Sequence, residues 1–466
     1  MEIKRDKHGI EPLYYTLVKQ TPQILWSSNI KALLRLPNIK AKLDLEALVE
    51  YFTFQNIMSD KTLFKGISLL PAGCYLDTDD SYKIKRYWSY DLSFSEVKLP
   101  YEVAVVELKR LLKQVANKHL KEGEFGCYLS GGLDSSCIAS MFPNVAFTCG
   151  FDLSSVAGDE KVFDERKYAE MVSSKFGIEH YEVILHSNDM EKVMPGLIYI
   201  LEDLRLGQSY PNYYVTRLAG KFVDTVLSGA GGDELFAGYP WHYREIINSK
   251  STIDFKLKYY NFCQRLVKEN ERRDFFRSDI YNKIKDYSTF DIFESVFEGH
   301  EIIPNKEGYI KATMYYDLKN SLHGLLIVED KIHDNMGVEC CFPLLDDELV
   351  DFVLKLPVSY KLNNIDNPSN NDGKKIFRDA MKGLIPKEIL KRDKQGFSVP
   401  DASWYRTGSR KYVEGILLNK KSRIYEYINP VYVEERVKSH MDGKSNEKAF
   451  IWSLLCFEYW LKAFLS

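Results

Sequence analysis

Two glycine-rich segments contain the residues best suited to chemistry. Residues 129–136 read LSGGLDSS, and residues 228–239 read SGAGGDELFAGY. Glycines that follow a strand let the backbone turn tightly and approach a bound group closely. A helix that starts at such a turn directs its free N–H groups and the positive end of its dipole at an anion. Both segments therefore predict anion-binding turns, and the serine hydroxyls of the first segment add further donors.

Each turn also carries an acid, which a simple anion site would not favour. Asp134 follows the first glycines and Asp233 follows the second. A carboxylate beside a phosphate is stable when Mg²⁺ lies between them, so the two acids predict one shared metal if the turns are neighbours. No lysine follows the glycines, which excludes the P-loop pattern. The simpler alternative is a pair of strand-to-helix turns capped by Ser and Asp.

The pattern of apolar residues predicts the strands and helices that would bring the two turns together. The predicted strands cover 124–130, 144–151, 179–185 and 224–229, and the predicted helices begin near Asp134 or cover 163–177 and 188–201. Helices of this length between strands indicate an α/β fold with a doubly wound parallel sheet. Ligands of such sheets bind beyond the carboxyl ends of the strands, which is where both turns are predicted.

The regions on either side of this sheet have different patterns. Residues 1–95 are predicted to be β-rich, with hairpins at 13–28 and 70–90. Helical spacing of apolar residues begins at Tyr101, and the pattern is mainly helical from about residue 250. We therefore expect a boundary near residue 96 that divides the chain into residues 1–95 and 96–466.

Composition excludes several classes of protein. The chain has 466 residues, of which 45% are apolar and 28% charged, which is typical of a globular protein. The net charge of −3 gives no chain-wide basic footprint, so no nucleic-acid partner is expected. No apolar stretch approaches the roughly 20 residues that a membrane helix needs, and the first residues, MEIKRDKHGIEP, have no apolar core of a signal peptide. These features predict a cytoplasmic protein without a membrane partner.

Four separated motifs resemble one known family. SGGLDSS resembles the pyrophosphatase loop of the N-type ATP pyrophosphatases, and SGAGGDELFAGY narrows the resemblance to the asparagine synthetase family. Residues 329–357 and 374–400 are similar to two later segments of that family, the second containing its Arg-x-Lys-x-Gly-Phe pattern. Residues 5–15, 26–34 and 62–76 resemble the end of its glutamine-hydrolysing domain. The resemblance is weakest between about 248 and 311.

The resemblance implies a reaction and a set of site residues. In this family ATP and Mg²⁺ adenylate a carboxylate, usually aspartate, and ammonia then gives the amide, with release of AMP and pyrophosphate. It implies that Lys394 stabilises the adenylation transition state, that Glu339 lies on the substrate side, and that Asp6 is a remnant of the glutamine site. It implies that Asp134 and Asp233 bind Mg²⁺ and take part in catalysis. The residues implied to bind ATP or pyrophosphate are Leu129, Ser130, Gly131, Gly132, Asp134, Ser135, Ser136, Ser228, Gly229 and Gly232.

The chain also departs from the family pattern at the site. Ala230 stands where the asparagine-forming enzymes usually carry an acid, which could take a proton from attacking ammonia. Cys341 replaces a family arginine. The identity of the carboxylate and of the amine therefore stays open.

The larger departure concerns glutamine. Glu2 occupies the position of the cysteine nucleophile that the family's glutaminase needs. We therefore expect residues 1–95 to be a remnant of the glutaminase α+β sandwich that does not hydrolyse glutamine alone. We expect an unpaired strand edge and an uncovered apolar face there, including Leu13, Tyr15, Ile24 and Trp26. Such a surface predicts a separate glutaminase chain or a homo-oligomer.

Two hypotheses follow from these residues. The first is an ATP-dependent amide ligase of the asparagine synthase type, supplied with ammonia, glutamine-derived ammonia or an amine. The alternative is a non-catalytic or natural-product-pathway relative that keeps ATP binding with a different acyl acceptor or none. Other enzymes with such loops, such as tRNA thiolases and GMP synthetase, lack the GGDELF and PLLD segments.

Overall fold

The computed structural model describes residues 2–18, 23–77, 82–91, 98–119, 125–141 and 145–465. In this part of the chain the strands are β1 (Glu2–Lys4), β2 (Tyr14–Val18), β3 (Gln23–Ser27), β4 (Ser68–Leu69), β5 (Cys74–Asp77), β6 (Lys83–Arg86), β7 (Phe125–Tyr128), β8 (Val145–Phe151), β9 (Glu179–Leu185), β10 (Thr225–Leu227) and β11 (Glu339–Cys341). The predicted boundary near residue 96 lies outside the described residues.

The helices that begin before residue 250 alternate along the chain with the strands or follow them. They are α1 (Ile30–Leu34), α2 (Leu45–Phe54), α3 (Tyr101–His119), α4 (Leu133–Met141), α5 (Arg166–Phe176), α6 (Asp189–Leu201), α7 (Tyr210–Ala219), α8 (Gly232–Leu235) and α9 (Pro240–Arg244).

The second half is mainly helical, as predicted. Its helices are α10 (Thr252–Cys263), α11 (Arg272–Phe275), α12 (Ser278–Ile284), α13 (Thr289–Ser295), α14 (Lys306–Tyr316), α15 (His323–Met336), α16 (Asp347–Leu354), α17 (Val358–Lys361), α18 (Lys375–Met381), α19 (Lys387–Lys391), α20 (Asp401–Arg406), α21 (Arg410–Leu417), α22 (Pro430–Met441) and α23 (Lys448–Phe464). A π-helical segment, Asp317–Leu322, joins α14 to α15.

A five-stranded parallel sheet lies at the centre of the α/β part. Its strand order is β11-β10-β7-β8-β9, and every neighbouring pair runs parallel. Successive residues Ala146 and Phe147 of β8 belong to two separate apolar clusters, so both faces of the sheet are covered. The predicted doubly wound parallel sheet is confirmed.

The order in which strands are added to the sheet switches sides between β7 and β10. From β7 the chain proceeds to β8 and β9 on one side, and β10 and β11 are added on the other side. Ligands of open α/β sheets bind at such a switch point, beyond the carboxyl ends of the strands. Strand β11 was not predicted, because a long, mainly helical segment separates it from β10 and hides the alternation of strands and helices.

The N-terminal part contains two small antiparallel sheets. One has the order β1-β5-β6 and the other β3-β2-β4, and both predicted hairpins are present as the pairs β2/β3 and β5/β6. Helix α2 was not predicted. Its residues Tyr51 and Phe52 share an apolar cluster with Phe457 and Trp460 of α23, which joins the two ends of the chain in one core.

The apolar face predicted on the N-terminal sheets is only partly covered. Leu13, Tyr15 and Ile24 pack against a small buried cluster around Leu70 and Leu76, whereas the Trp26 side chain is 50% exposed. Among the described residues, β3 is an outer strand of its sheet. None of the helices in the described ranges combines the length and apolar composition that crossing a bilayer requires.

Candidate active site

The two glycine-rich turns lie side by side at the carboxyl ends of neighbouring strands. Cys127 of β7 is opposite Leu227 of β10, so the chain leaves both strands at the same edge. A Cβ atom on Gly229 would lie 2.9 Å from the backbone nitrogen of Ser135, and one on Gly232 would lie 2.3 Å from Asp134 Oδ1. Glycine is required at both positions because the turns touch each other.

The first turn forms a cluster of hydroxyl and N–H groups at the start of α4. The Ser130 and Ser135 hydroxyls are 3.1 Å apart, and the Gly132 N–H donates to Ser130 Oγ at 3.3 Å. Gly131 has φ of +71°, in the left-handed region that favours glycine. Free N–H groups and hydroxyls at a helix N-terminus suit an anion such as a phosphate.

Two lysines join the two carboxylates in a row of alternating charges. Lys374 Nζ forms a short contact with Asp134 Oδ2 and lies 2.7 Å from Asp233 Oδ1. Lys394 Nζ lies 2.6 Å from Asp233 Oδ2. Lys374 is 3% exposed and precedes α18 with φ of +61°. The sequence motifs indicated a role for Lys394. They indicated none for Lys374, although it is the first residue of the family-like segment 374–400.

Burial and the lysines act in opposite directions on the two acids. Burial raises the pKa of Asp134, and Lys374 opposes that rise without cancelling it. Burial acts on Asp233 in the same sense, but Lys374 and Lys394 together lower the pKa of Asp233 below its ordinary value. Burial acts to lower the pKa of Lys394, yet the two carboxylates raise it. The lysines therefore stabilise the charged form of Asp233 and the carboxylates that of Lys394, whereas burial outweighs the lysines at Asp134.

The donor set at the turns suits a magnesium ion that also contacts phosphate. Asp134 Oδ1 is buried and has no hydrogen-bond partner among the described residues. In that same part of the chain, no group of three or more His, Cys, Asp or Glu side chains could hold a metal by itself. Mg²⁺ is usually held by one or two carboxylates together with substrate phosphates. The residues present fit that mode of binding.

A cavity of about 480 Å³ opens over the two turns. This volume is within the range of small-molecule sites. The turn residues that line it are Leu129, Ser130, Gly132, Asp134, Ser135, Ser228, Gly229 and Asp233, with Lys374 and Lys394 beside them. Of the other residues predicted to bind ATP or pyrophosphate, Gly131, Ser136 and Gly232 do not line the cavity. The Ser136 side chain is fully buried beneath the turn.

Arginine 392 attaches the Lys394 segment to the first turn. Arg392 Nη2 lies 2.6 Å from Glu165 Oε1, and its Nη1 donates to the Gly131 carbonyl at 3.4 Å. The guanidinium also lies over the Tyr168 ring at 4.0 Å. These contacts fix the approach of Lys394 to the carboxylates.

Residues of α15 and of α7 with its preceding segment also line the cavity. The Tyr128 hydroxyl lies 2.6 Å from His333 Nε2 and 2.8 Å from Thr216 Oγ1. Burial lowers the pKa of His333 to about 4, so its ring is neutral near pH 7. Burial raises the pKa of Glu329, one turn earlier on α15, to about 7, and the Ser228 side chain opposes that rise without cancelling it.

Two predicted residues are not brought to this cavity. Glu339 is exposed at the first residue of β11, which is the end of a parallel strand opposite to the turns. The carboxylate of Asp6 accepts hydrogen bonds from the backbone N–H groups of His8, Ile10 and Glu11 at 3.0–3.1 Å. In this structure Asp6 therefore holds its own loop.

The two departures from the family pattern have different surroundings. Ala230 lines the cavity, and its N–H donates to Ser228 Oγ at 3.3 Å. Cys341 is half-buried in β11 opposite Leu227, and burial raises the pKa of its thiol to about 11.

Comparisons with known proteins agree with this geometry. A family model described as asparagine synthase matches residues 107–462, and one described as a glutamine amidotransferase domain matches residues 1–88. The protein named glutamine-hydrolyzing asparagine synthetase 1 of Bacillus subtilis (strain 168) is 26% identical over 98% of this chain and 74% of its own length. A probable glutamine-hydrolyzing asparagine synthetase of Acanthamoeba polyphaga mimivirus is 23% identical over 99% of this chain and 72% of its own. Since the first model covers more than half of the residues, this chain belongs to the asparagine synthase family.

Proposed function

We propose that this protein forms an amide from a carboxylate, ATP and ammonia or an amine, through an acyl-adenylate, with release of AMP and pyrophosphate. The observation that supports it is the arrangement of Asp134, Asp233, Lys374 and Lys394 beside the serine-rich turn in one cavity. Family membership supports the reaction class, and the relatives' being named asparagine synthetases supports aspartate as the first carboxylate to test.

In this proposal the first turn binds the phosphates that leave. The hydroxyls of Ser130 and Ser135, the Gly132 N–H and the N-terminus of α4 would receive the β- and γ-phosphates of ATP. Asp134 and Asp233 would hold Mg²⁺, which when bound neutralises charge on the phosphates. The carboxylate oxygen of the substrate attacks the α-phosphorus, and the bond from the α-phosphorus to the bridging oxygen breaks.

The two lysines would stabilise different negative groups, Lys394 the leaving pyrophosphate and Lys374 the two carboxylates. Negative charge develops on the leaving pyrophosphate as the bond breaks, and a fixed cation stabilises it in the transition state. Lys394 is assigned this role because Arg392 holds its segment against the first turn. Lys374, buried between the two carboxylates, would keep them in place before the nucleotide binds.

One observation favours a second candidate function. Ala230 lines the cavity where the family usually has an acid, so the acyl-adenylate could pass to another acceptor or to none. A relative that only binds ATP would need neither a half-buried Lys394 paired with Asp233 nor its bracing by Arg392. These contacts support the ligase.

The test is product analysis of the purified chain. ATP, Mg²⁺, ammonium chloride and a panel of carboxylates that begins with aspartate are supplied, and AMP, pyrophosphate and amide are quantified. We expect carboxylate-dependent AMP and pyrophosphate in equal amounts, with amide from at least one acid. Asp233→Asn should lower the yield of all three products. Asp224→Asn, at an exposed acid just before β10, is the matched control and should leave the yield unchanged. Absence of AMP and pyrophosphate with every acid would contradict the ligase.

A further inference from the structure

Amide formation needs a group that accepts a proton. When ammonia attacks an acyl carbon, the new C–N bond places a positive charge on nitrogen, which must lose a proton as the leaving group departs. Ala230 cannot accept it. A different carboxylate of the cavity would have to do so.

Most carboxylates that line the cavity are already engaged. Asp134 and Asp233 are paired with lysines, Glu165 is paired with Arg392, and Glu234 accepts the Tyr239 hydroxyl at 2.7 Å. Asp393 is exposed to solvent. Glu329 differs from these, because no cation lies within ion-pair distance of its carboxyl group in the described ranges of the chain.

Glu329 lines the same cavity as Ala230 and Ser228. The Ser228 hydroxyl accepts the Ala230 N–H at 3.3 Å, and Ser228 is also the side chain that opposes the rise in the pKa of Glu329. This carboxyl group therefore faces the same space as the backbone position where the family usually places its acid. The α15 helix, which packs against β11, holds Glu329 in this position.

From this geometry we propose that Glu329 is the general base of amide formation, and that it supplies from α15 the carboxylate that Ala230 lacks. The assignment rests on the proposed function and names the residue that completes it. The nitrogen of ammonia or an amine bonds to the acyl carbon, and one N–H proton passes to the Glu329 carboxylate. The bond between the acyl carbon and the phosphate oxygen then breaks, AMP leaves with that electron pair, and the proton is released to solvent.

The surroundings of Glu329 suit a base that works near neutral pH. Burial raises its pKa to about 7, close to the pH at which a general base is most effective. The titratable groups that face its carboxyl group are Tyr128 on β7 and Cys340 on β11, and the His333 ring lies 2.6 Å from the backbone carbonyl of Glu329. Burial keeps all three neutral near pH 7, since it raises the pKa of the phenol and the thiol and lowers that of the imidazole.

The experiment separates adenylation from amide formation. Exchange of labelled pyrophosphate into ATP, with a carboxylate but without ammonia, reports adenylation alone, whereas amide yield with ammonium chloride reports both steps. We expect Glu329→Gln to leave the exchange nearly unchanged and to lower the amide rate about 10²–10⁴-fold, the usual contribution of a general base. When the concentration of free ammonia is held constant at each pH, the rise of the amide rate through about pH 7 should disappear in this variant.

Two further variants keep the test decisive. Asp330→Asn changes the next residue of α15, whose pKa burial also raises to about 7 but which does not line the cavity, and it should leave the ratio of amide to exchange unchanged. Adding Ala230→Glu to Glu329→Gln should restore amide formation in part. Equal loss of exchange and amide, or no loss of amide, would overturn the assignment. No exchange in the unmodified protein with any carboxylate would instead refute the proposed function.

Discussion

The candidate site is a row of four alternating charges: Asp134, Lys374, Asp233 and Lys394. The sequence motifs predicted three of them, because each lies in a segment with glycines or a family pattern. Lys374 opens the same family-like segment as Lys394, but its role could not be predicted, since its place between the carboxylates depends on a left-handed backbone conformation before α18. The role of each residue stays a prediction.

The carboxylates can be tested individually. Asp134→Asn and Asp233→Asn should each lower pyrophosphate release by about 10²–10³-fold, because each removes a proposed Mg²⁺ ligand and a fixed charge in the site. Each also leaves Lys374 with an incomplete set of partners. Asp224→Asn serves as the control, and thermal unfolding checks that the fold is kept. Near-normal pyrophosphate release by either variant would rule out the assignment.

Lys394 should affect the chemical step more than ATP binding. Lys394→Ala is expected to lower kcat by about 10²–10³-fold with a much smaller change in the KM for ATP, because the proposed contact strengthens in the transition state. Steady-state kinetics with varied ATP measure both constants. Lys391→Ala, at an exposed lysine three residues earlier, is the control. A change confined to KM would indicate ground-state binding instead.

The carboxyl group of Glu329 should also make stability depend on pH. Its pKa is about 7 in the folded protein and near 4.5 when exposed, so the folded state binds more protons between these values. Stability from this group is therefore lost as pH rises from about 4.5 to 7. Glu329→Gln should gain stability relative to the unmodified chain over that interval, as measured by thermal unfolding from pH 5 to pH 8. Glu388→Gln, at an exposed acid, should show no such gain, and a parallel pH dependence of the two variants would contradict the raised pKa.

At the scale of elements, the sequence predicted four strands of the parallel sheet but not β11, the strand at one edge. Regular alternation of apolar strands and helices is a strong signal, so β7 to β10 and their parallel arrangement were predictable. Strand β11 follows a long, mainly helical segment that interrupts this alternation, and the position of Glu339 depends on it. Because β11 runs parallel to β10, its first residue lies at the end remote from the turns. Sequence spacing contains no information about that direction.

The contact between the two turns gives a prediction at this scale. In Gly232→Ala, the added Cβ would lie 2.3 Å from Asp134 Oδ1 and 2.9 Å from Leu344 Cδ1. We expect Asp134 to be displaced and pyrophosphate release to fall strongly. Gly196→Ala, in α6 with nothing within 4 Å of the added Cβ, is the matched control and should be slightly more stable. Unchanged pyrophosphate release by Gly232→Ala would show that the turns can move apart without loss of activity, and would contradict the prediction.

At the scale of the whole molecule, the N-terminal part shares its core with the last helix. Phe52 of α2 contacts Phe457 of α23 with ring centroids 5.7 Å apart, and Phe64 contacts Trp460 at 4.9 Å. The sequence indicated a remnant of a second domain but not this packing, because contacts between residues about 400 positions apart leave no local pattern. We propose that this part supports the synthetase fold.

This arrangement gives a prediction about nitrogen supply. Cys74 is the only cysteine in residues 1–95, it is buried in β5, and burial raises the pKa of its thiol. A thiol of this kind is a poor nucleophile. The purified chain should therefore release no glutamate from glutamine, and ammonium should support amide formation. Glutamate release that Cys74→Ala abolishes would contradict this prediction.

The central claim is that an acyl-adenylate connects ATP cleavage to amide formation, and isotope transfer tests it most directly. The carboxylate that supports product formation is labelled with ¹⁸O in both oxygens and incubated with the chain, ATP, Mg²⁺ and ammonium. In an acyl-adenylate one carboxylate oxygen becomes bonded to the α-phosphorus and leaves with AMP. Mass spectrometry should then find one ¹⁸O in AMP for each amide formed. Unlabelled AMP, or ADP and phosphate as the products, would contradict the claim.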